Sequence, residues 1–186
     1  PEIEVHNGPL TAPELTDGQT AAVDFGTARQ ATPVVLAIAV ANTGTAPLLI
    51  ASVTTPAGYT VLQLPPLPAT IGVNESLPLQ IRLDATDLGT FAGTITIASD
   101  DLDEAAFDFP VTGTVVSPEI AVHYGTPSGP ELTDGQAAPL EFGRNIQGTA
   151  MTSNLTIANT GTANLMVSSV AIPPGFTALD VPPLPL

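Results

Sequence analysis

An all-β fold of tandem β-sandwich domains is what this sequence predicts. Three observations carry it. Apolar and polar residues alternate with period two in one segment after another. Twenty prolines and 16 glycines punctuate the 186 residues too often for long helices. A long block of sequence also recurs inside the chain. Many short strands at such spacing argue immunoglobulin-like sandwiches, the second of them truncated.

The strands are expected near 2–6, 22–26, 32–41, 46–53, 58–63, 76–84, 90–98 and 105–115. In the sixth, Leu77, Leu79, Ile81 and Leu83 alternate with Pro78, Gln80, Arg82 and Asp84. In the seventh, Gly93, Ile95 and Ile97 alternate with Thr94, Thr96 and Ala98. In the eighth, Phe107, Phe109 and Val111 alternate with Asp108, Pro110 and Thr112. Each has one apolar face, so Leu77, Leu79, Ile81, Ile95, Ile97, Phe107, Phe109 and Val111 are expected in the core. Between the strands, Asp17-Gly18, Asn42-Thr43-Gly44, Pro56-Ala57-Gly58 and Ser99–Glu104 supply turn chemistry.

The repeat sets the domain organisation. Pro1-Glu2-Ile3 returns as Pro118-Glu119-Ile120, and Pro13–Gln19 returns as Pro130–Gln136. Ala41–Ala46 returns as Ala158–Ala163, and Pro65–Pro68 as Pro182–Pro185. Every pair is separated by 117 positions with no insertion. A unit of that length suits a sandwich domain better than a solenoid repeat. The domains are therefore read as 1–117 and 118–186, the second lacking the counterparts of 70–117. Almost no linker separates them, so neighbouring repeats are expected to stack with restricted bending. A sandwich without its last strands exposes an apolar face. Either further residues or a strand from a neighbouring molecule is expected to cover it.

The repeat also assigns faces in the third strand. Val34, Ile38 and Val40 stay apolar in the second copy, as Met151, Leu155 and Ile157. Val35, Ala37 and Ala39 become Thr152, Asn154 and Thr156, so this set is expected to face water. Leu36 against Ser153 breaks the pattern and suggests a sheet edge.

Charge and composition exclude several functions. Eighteen carboxylates face three basic residues, Arg29, Arg82 and Arg144, for a net charge of -15. No phosphate-tracking surface can be built from these, so nucleic acid is not an expected partner. No apolar run is long enough to insert in a membrane. With no cysteine there is no disulfide, thiolate metal site or cysteine nucleophile. With no lysine there is no Schiff base and no P-loop lysine.

Candidate sites are few. Asp100, Asp101, Asp103 and Glu104 place four carboxylates in one turn. Oxygen ligands at this density suit calcium, although the glycine and distal glutamate of an EF-hand are missing. A solvated hairpin turn is the preferred reading, and no other cofactor is expected. His6 and His123, one per repeat and without an evident carboxylate partner, read as structural. Asp17 and Asp134 are explained by local turn bonding. Asn74-Glu75-Ser76 and Asn154-Leu155-Thr156 match the glycosylation sequon, a pattern common by chance. Pro65-Pro66-Leu67-Pro68 reads as a rigid connection inside the sandwich rather than a polyproline II ligand. No nucleophile elbow or acid–base constellation appears, so no catalytic residue is assigned.

Asp24-Phe25-Gly26, then Ile38–Ala46, then Ile97–Glu104, ending in Phe109–Thr114, resemble the choice-of-anchor D repeat. The resemblance covers copy one and all of copy two. That family is related to the Hydin-type and major-sperm-protein-like immunoglobulin folds and occurs in large exported bacterial proteins. It implies an extracellular or cell-surface location and brings no catalytic residues. The expected function is a non-enzymatic structural module, a stiff spacer or filament unit. Its partners would be adjacent repeats or neighbouring copies in a polymer. The competing expectation is an adhesin-type module binding protein or glycan through end loops or an edge strand. Aromatic content of 4% speaks against a sugar-stacking platform.

Overall fold

A computed structural model describes residues 1–186. The chain divides into two compact units, Pro1–Val116 and Ser117–Leu186. The boundary lies one residue before the repeat boundary because the Ser117 carbonyl accepts the amides of Thr162 and Ala163.

The first unit is an immunoglobulin-like β-sandwich of ten strands. They are β1 (Ile3–His6), β2 (Glu14–Leu15), β3 (Val23–Arg29), β4 (Val34–Asn42), β5 (Leu48–Thr54), β6 (Tyr59–Leu62), β7 (Ala69–Ile71), β8 (Ser76–Leu83), β9 (Gly89–Ser99) and β10 (Ala106–Val116). One sheet runs β2-β1-β4-β8-β6 and the other β3-β10-β9-β5-β7. All pairs are antiparallel except β3 with β10. The short strands β2 and β7 carry too few residues for a visible alternation, and periodicity does not reveal them.

The alternating residues meet between the sheets. Leu79, Ile81, Ile95, Ile97, Phe107, Phe109 and Val111 are buried, while Leu77 is only half-buried and packs at the core margin. In β4, Ile38 and Val40 are buried and Val35 and Ala37 exposed, but Ala39 is buried rather than solvent-facing. Leu36 packs against the core opposite Ile81 in a central strand, so the sheet edge expected there is absent. The serine in copy two reflects a change in that copy, not an edge in the first. Leu64 and Leu67, in the proline-rich connection from β6 to β7, pack on the same core.

The second unit holds β11 (Ile120–Tyr124) paired antiparallel with β12 (Leu155–Asn159). Their register repeats that of β1 and β4 at the repeat offset: Ile3 faces Asn42 as Ile120 faces Asn159, and Val5 faces Val40 as Val122 faces Ile157. The Phe25–Tyr59 ring pair, 5.0 Å apart, returns as Phe142–Phe176 at 5.1 Å. The counterparts of β3, β5 and β6 form no strands. In the first unit these pair with β10, with β9 and β7, and with β8, and a strand needs its neighbour's hydrogen bonds to exist.

Candidate functional site

Asn42, Asp17 and the Asp100–Glu104 carboxylates gather at one end of the first unit, whereas Asp24 and His6 lie further along their strands. Asn42 ends β4 with no solvent exposure. Its Nδ2 donates to the carbonyls of Ala46, Ile71 and Gly72, and its Oδ1 accepts from the amides of Glu2 and Gly44. Its own amide donates to Glu75 and its carbonyl accepts from Asn74. One carboxamide thus ties the N-terminal segment, the turn after β4 and the β7–β8 connection together. Gly44 follows because a Cβ there would strike the backbone of Pro1 and Glu2.

The carboxylate turn joins the same end. Asp101 is buried, and its Oδ2 accepts the Ile3 amide at 2.8 Å. Asp100 Oδ1 accepts the Leu49 amide at 2.8 Å. The turn is solvated at Asp100, Leu102 and Asp103, as the sequence suggests, but Asp101 is buried, and Asp100 and Asp101 hold backbone donors from β5 and β1. Ser99 Oγ also accepts the Asp101 amide, at 3.1 Å. The carboxylate oxygens of Glu2, Asp101 and Asp103 lie within 4.8 Å of one another. Asp100 and Glu104 are outside that group. Glu2 is the member sequence spacing misses, since it arrives from the other end of the unit. These three carboxylates offer six oxygens, one of them already accepting the Ile3 amide, so water or carbonyl oxygens would have to complete the about six to eight that calcium takes. Burial, then the negative charges of Asp17, Glu2, Asp101 and Asp103, push the Glu104 carboxyl above its ordinary value.

Asp17 does more than shape its own turn. Its Oδ1 accepts the Asp108 amide at 2.7 Å, while Gly18 donates back to the Asp108 carbonyl at 2.9 Å. His6 is buried and does have a carboxylate partner: Nε2 lies 2.8 Å from Glu4 Oε1, and Nδ1 bonds the Ala12 carbonyl. His123 bonds the Gly129 carbonyl in the same way, but Ala121 replaces the glutamate. Asp24 Oδ1 accepts the Gly26 amide at 2.7 Å. Gly26 has φ of 71°, and the β3–β10 register shifts beside it, where β3 carries one residue more than its partner. Phe25 between them packs edge-on against Tyr59. The three conspicuous motifs are thus a bulge, a buried carboxamide clamp and an amide-binding turn.

No curated protein matches the chain. Among solved structures it is similar to the ASH / PapD-like domain 7 of human CEP192, at 14% identity and TM-score 0.44, covering 63% of this chain and 87% of that one. The Vibrio cholerae VesB protease aligns at 14% identity and TM-score 0.40, over 50% of this chain and 29% of that one. A protein of unknown function from Porphyromonas gingivalis W83 aligns at 20% identity and TM-score 0.42, over 61% and 66%. The profile of the family described as a protein of unknown function (DUF1573) matches residues 17–115, more than half of the chain, and the chain belongs to that family.

Proposed function

We propose that this chain is a non-enzymatic structural repeat module, a stiff spacer or filament unit of a longer extracellular or cell-surface protein. The observation that carries this reading is where its polar motifs spend their bonds. Asn42, Asp100, Asp101 and Asp17 all hold backbone amides of distant segments of the same unit. Such bonds lock a domain rather than meet a substrate. The resemblance to choice-of-anchor D repeats supports an exported, surface location. The carboxylate excess supports solubility in a crowded array, because like-charged neighbours repel.

Only Ser117, Pro118 and Glu119 separate β10 from β11, which supports limited freedom between repeats. The test is small-angle scattering on arrays of two, four and six complete copies of residues 1–117. A stiff spacer lengthens in proportion to copy number. A maximum dimension growing only as about the square root of copy number, as a flexible linker gives, overturns the reading.

A further inference from the structure

The corner between β1 and β2 holds an asparagine with no structural task. Seven asparagines stand in the sequence, and only Asn7 precedes a glycine. It follows β1 directly, is exposed, and its carboxamide makes no hydrogen bond, whereas the Asn42 carboxamide is buried and fully bonded. The glycine after it is required by the backbone. Gly8 has φ of 133°, and a Cβ there would stand 2.9 Å from the Ala12 Cβ.

An Asn-Gly pair has a reaction of its own. A backbone nitrogen attacks the carboxamide carbon of the asparagine before it, and a side chain on the attacking residue obstructs the approach. Gly8 has none. Its amide is held by the His6 carbonyl at 2.9 Å, a bond that spans Asn7 alone and breaks without unpairing a strand. The other asparagines are followed by Thr43, Glu75, Ile146, Leu155, Thr160 and Leu165, each with a bulky side chain.

We infer that Asn7 is a site of spontaneous modification, where the chain deamidates itself and loosens the β1–β2 corner. The Gly8 nitrogen gives its proton to solvent base and bonds to Cγ of Asn7. The Cγ–Nδ2 bond breaks, ammonia leaves, and a succinimide ring remains. Water then opens the ring at either carbonyl. One product is aspartate, and the other is isoaspartate, whose main chain runs through Cβ and Cγ. Both add a carboxylate to a corner that already holds Glu4 and Glu14. The isoaspartate also inserts one more carbon between His6 and Gly8. The corner closes through the Asn7 amide on the Pro13 carbonyl at 3.0 Å and His6 Nδ1 on the Ala12 carbonyl at 3.0 Å, and a longer main chain displaces these partners. The second unit has the same corner without the reaction. Tyr124 stands in place of Asn7, and its amide bonds the Pro130 carbonyl at 2.9 Å.

The experiment ages the full chain in warm, mildly alkaline buffer, then unfolds each sample and cuts it with trypsin. The first peptide, Pro1–Arg29, contains Asn7 and no other asparagine. Its mass should rise by the exchange of an amide for an acid, with isoaspartate at residue 7 located by fragmentation. The peptides Gln30–Arg82 and Asn145–Leu186 should keep their amides. The variant Asn7→Gln should stay intact over the same time, because its longer side chain has to close a larger ring. In the aged chain, amide exchange should speed up about tenfold or more at residue 7 and Ala12 and stay unchanged at Tyr124. A chain in which Asn7 keeps its amide, or loses it no sooner than the other asparagines do, overturns the proposal. So does a deamidated chain whose residue 7 and Ala12 amides exchange as before.

Discussion

Asn42 and Asn159 are one residue in two settings. Both hold the turn that follows their strand, through the carbonyl four residues on and the amide two residues on. Only Asn42 also reaches Ile71 and Gly72 from a fully buried position. Asn42→Ala removes these bonds and strands the Glu2 and Gly44 amides. The expected loss is roughly 2–4 kcal/mol, several bonds at about 1 kcal/mol each. Asn159→Ala should cost well under half as much, because water replaces the lost partners. Urea denaturation of the two variants, followed by β10 and β12 amide signals, checks the difference. Equal losses would mean that burial of the carboxamide contributes nothing. The Asn-Thr-Gly signature was visible in the sequence as a turn. Its reach to β7 was not, because Asn42 and Ile71 meet only once the sheets are stacked.

At the scale of elements, the β9–β10 turn gathers like charges that no cation within it offsets. Asp17, Glu2, Asp101 and Asp103 all raise the Glu104 carboxyl pKa, after the larger contribution of its burial. A carboxyl raised in the fold ionises against its surroundings at neutral pH and weakens the native state there. As the pH falls through the raised value, the protonated form takes over in the fold first, and the penalty fades. Glu104→Gln should therefore raise the melting temperature at pH 7, and the gain should shrink to nothing as the pH drops through the carboxylate range. Added salt should reduce the gain as well, since the turn is partly solvated. Melting curves across pH for both proteins measure this. A gain that persists at low pH would show that the effect is not electrostatic. The alternation in β8, β9 and β10 was readable residue by residue. The parallel pairing of β3 with β10 was not, because no local pattern encodes which strand closes a sheet edge.

For the whole molecule, the repeat makes a direct comparison of two units with closely related sequences. The first has both sheets and a closed core, the second one pair of strands and exposed Leu155, Ile157 and Phe176. Local stability follows the number of paired strands and buried contacts, so the second unit should open far more readily. Trypsin reads this out with unusual economy, because the chain offers only Arg29, Arg82 and Arg144. Arg82 lies in a central strand and pairs with Asp84, whereas Arg144 is exposed in a segment without strand pairing. Cleavage after Arg144 should come first, leaving a persistent fragment of residues 1–144 identifiable by mass spectrometry. Early cleavage at Arg82 would contradict the order of stability.

The sequence by itself determined the strand alternation, the all-β class, the internal repeat and the absence of cysteine and lysine chemistry. These are local or compositional properties, and a chain carries them whether folded or not. Tertiary structure alone decided that Asp101 is buried on the Ile3 amide, that Glu2 joins the acidic turn, and that Leu36 faces a core rather than an edge. It also decided that β3, β5 and β6 form strands while their counterparts in the second unit form none. Each of these depends on partners tens of residues away. A backbone donor, a neighbouring charge or the next strand exists only where the fold brings it, and no window of sequence contains it.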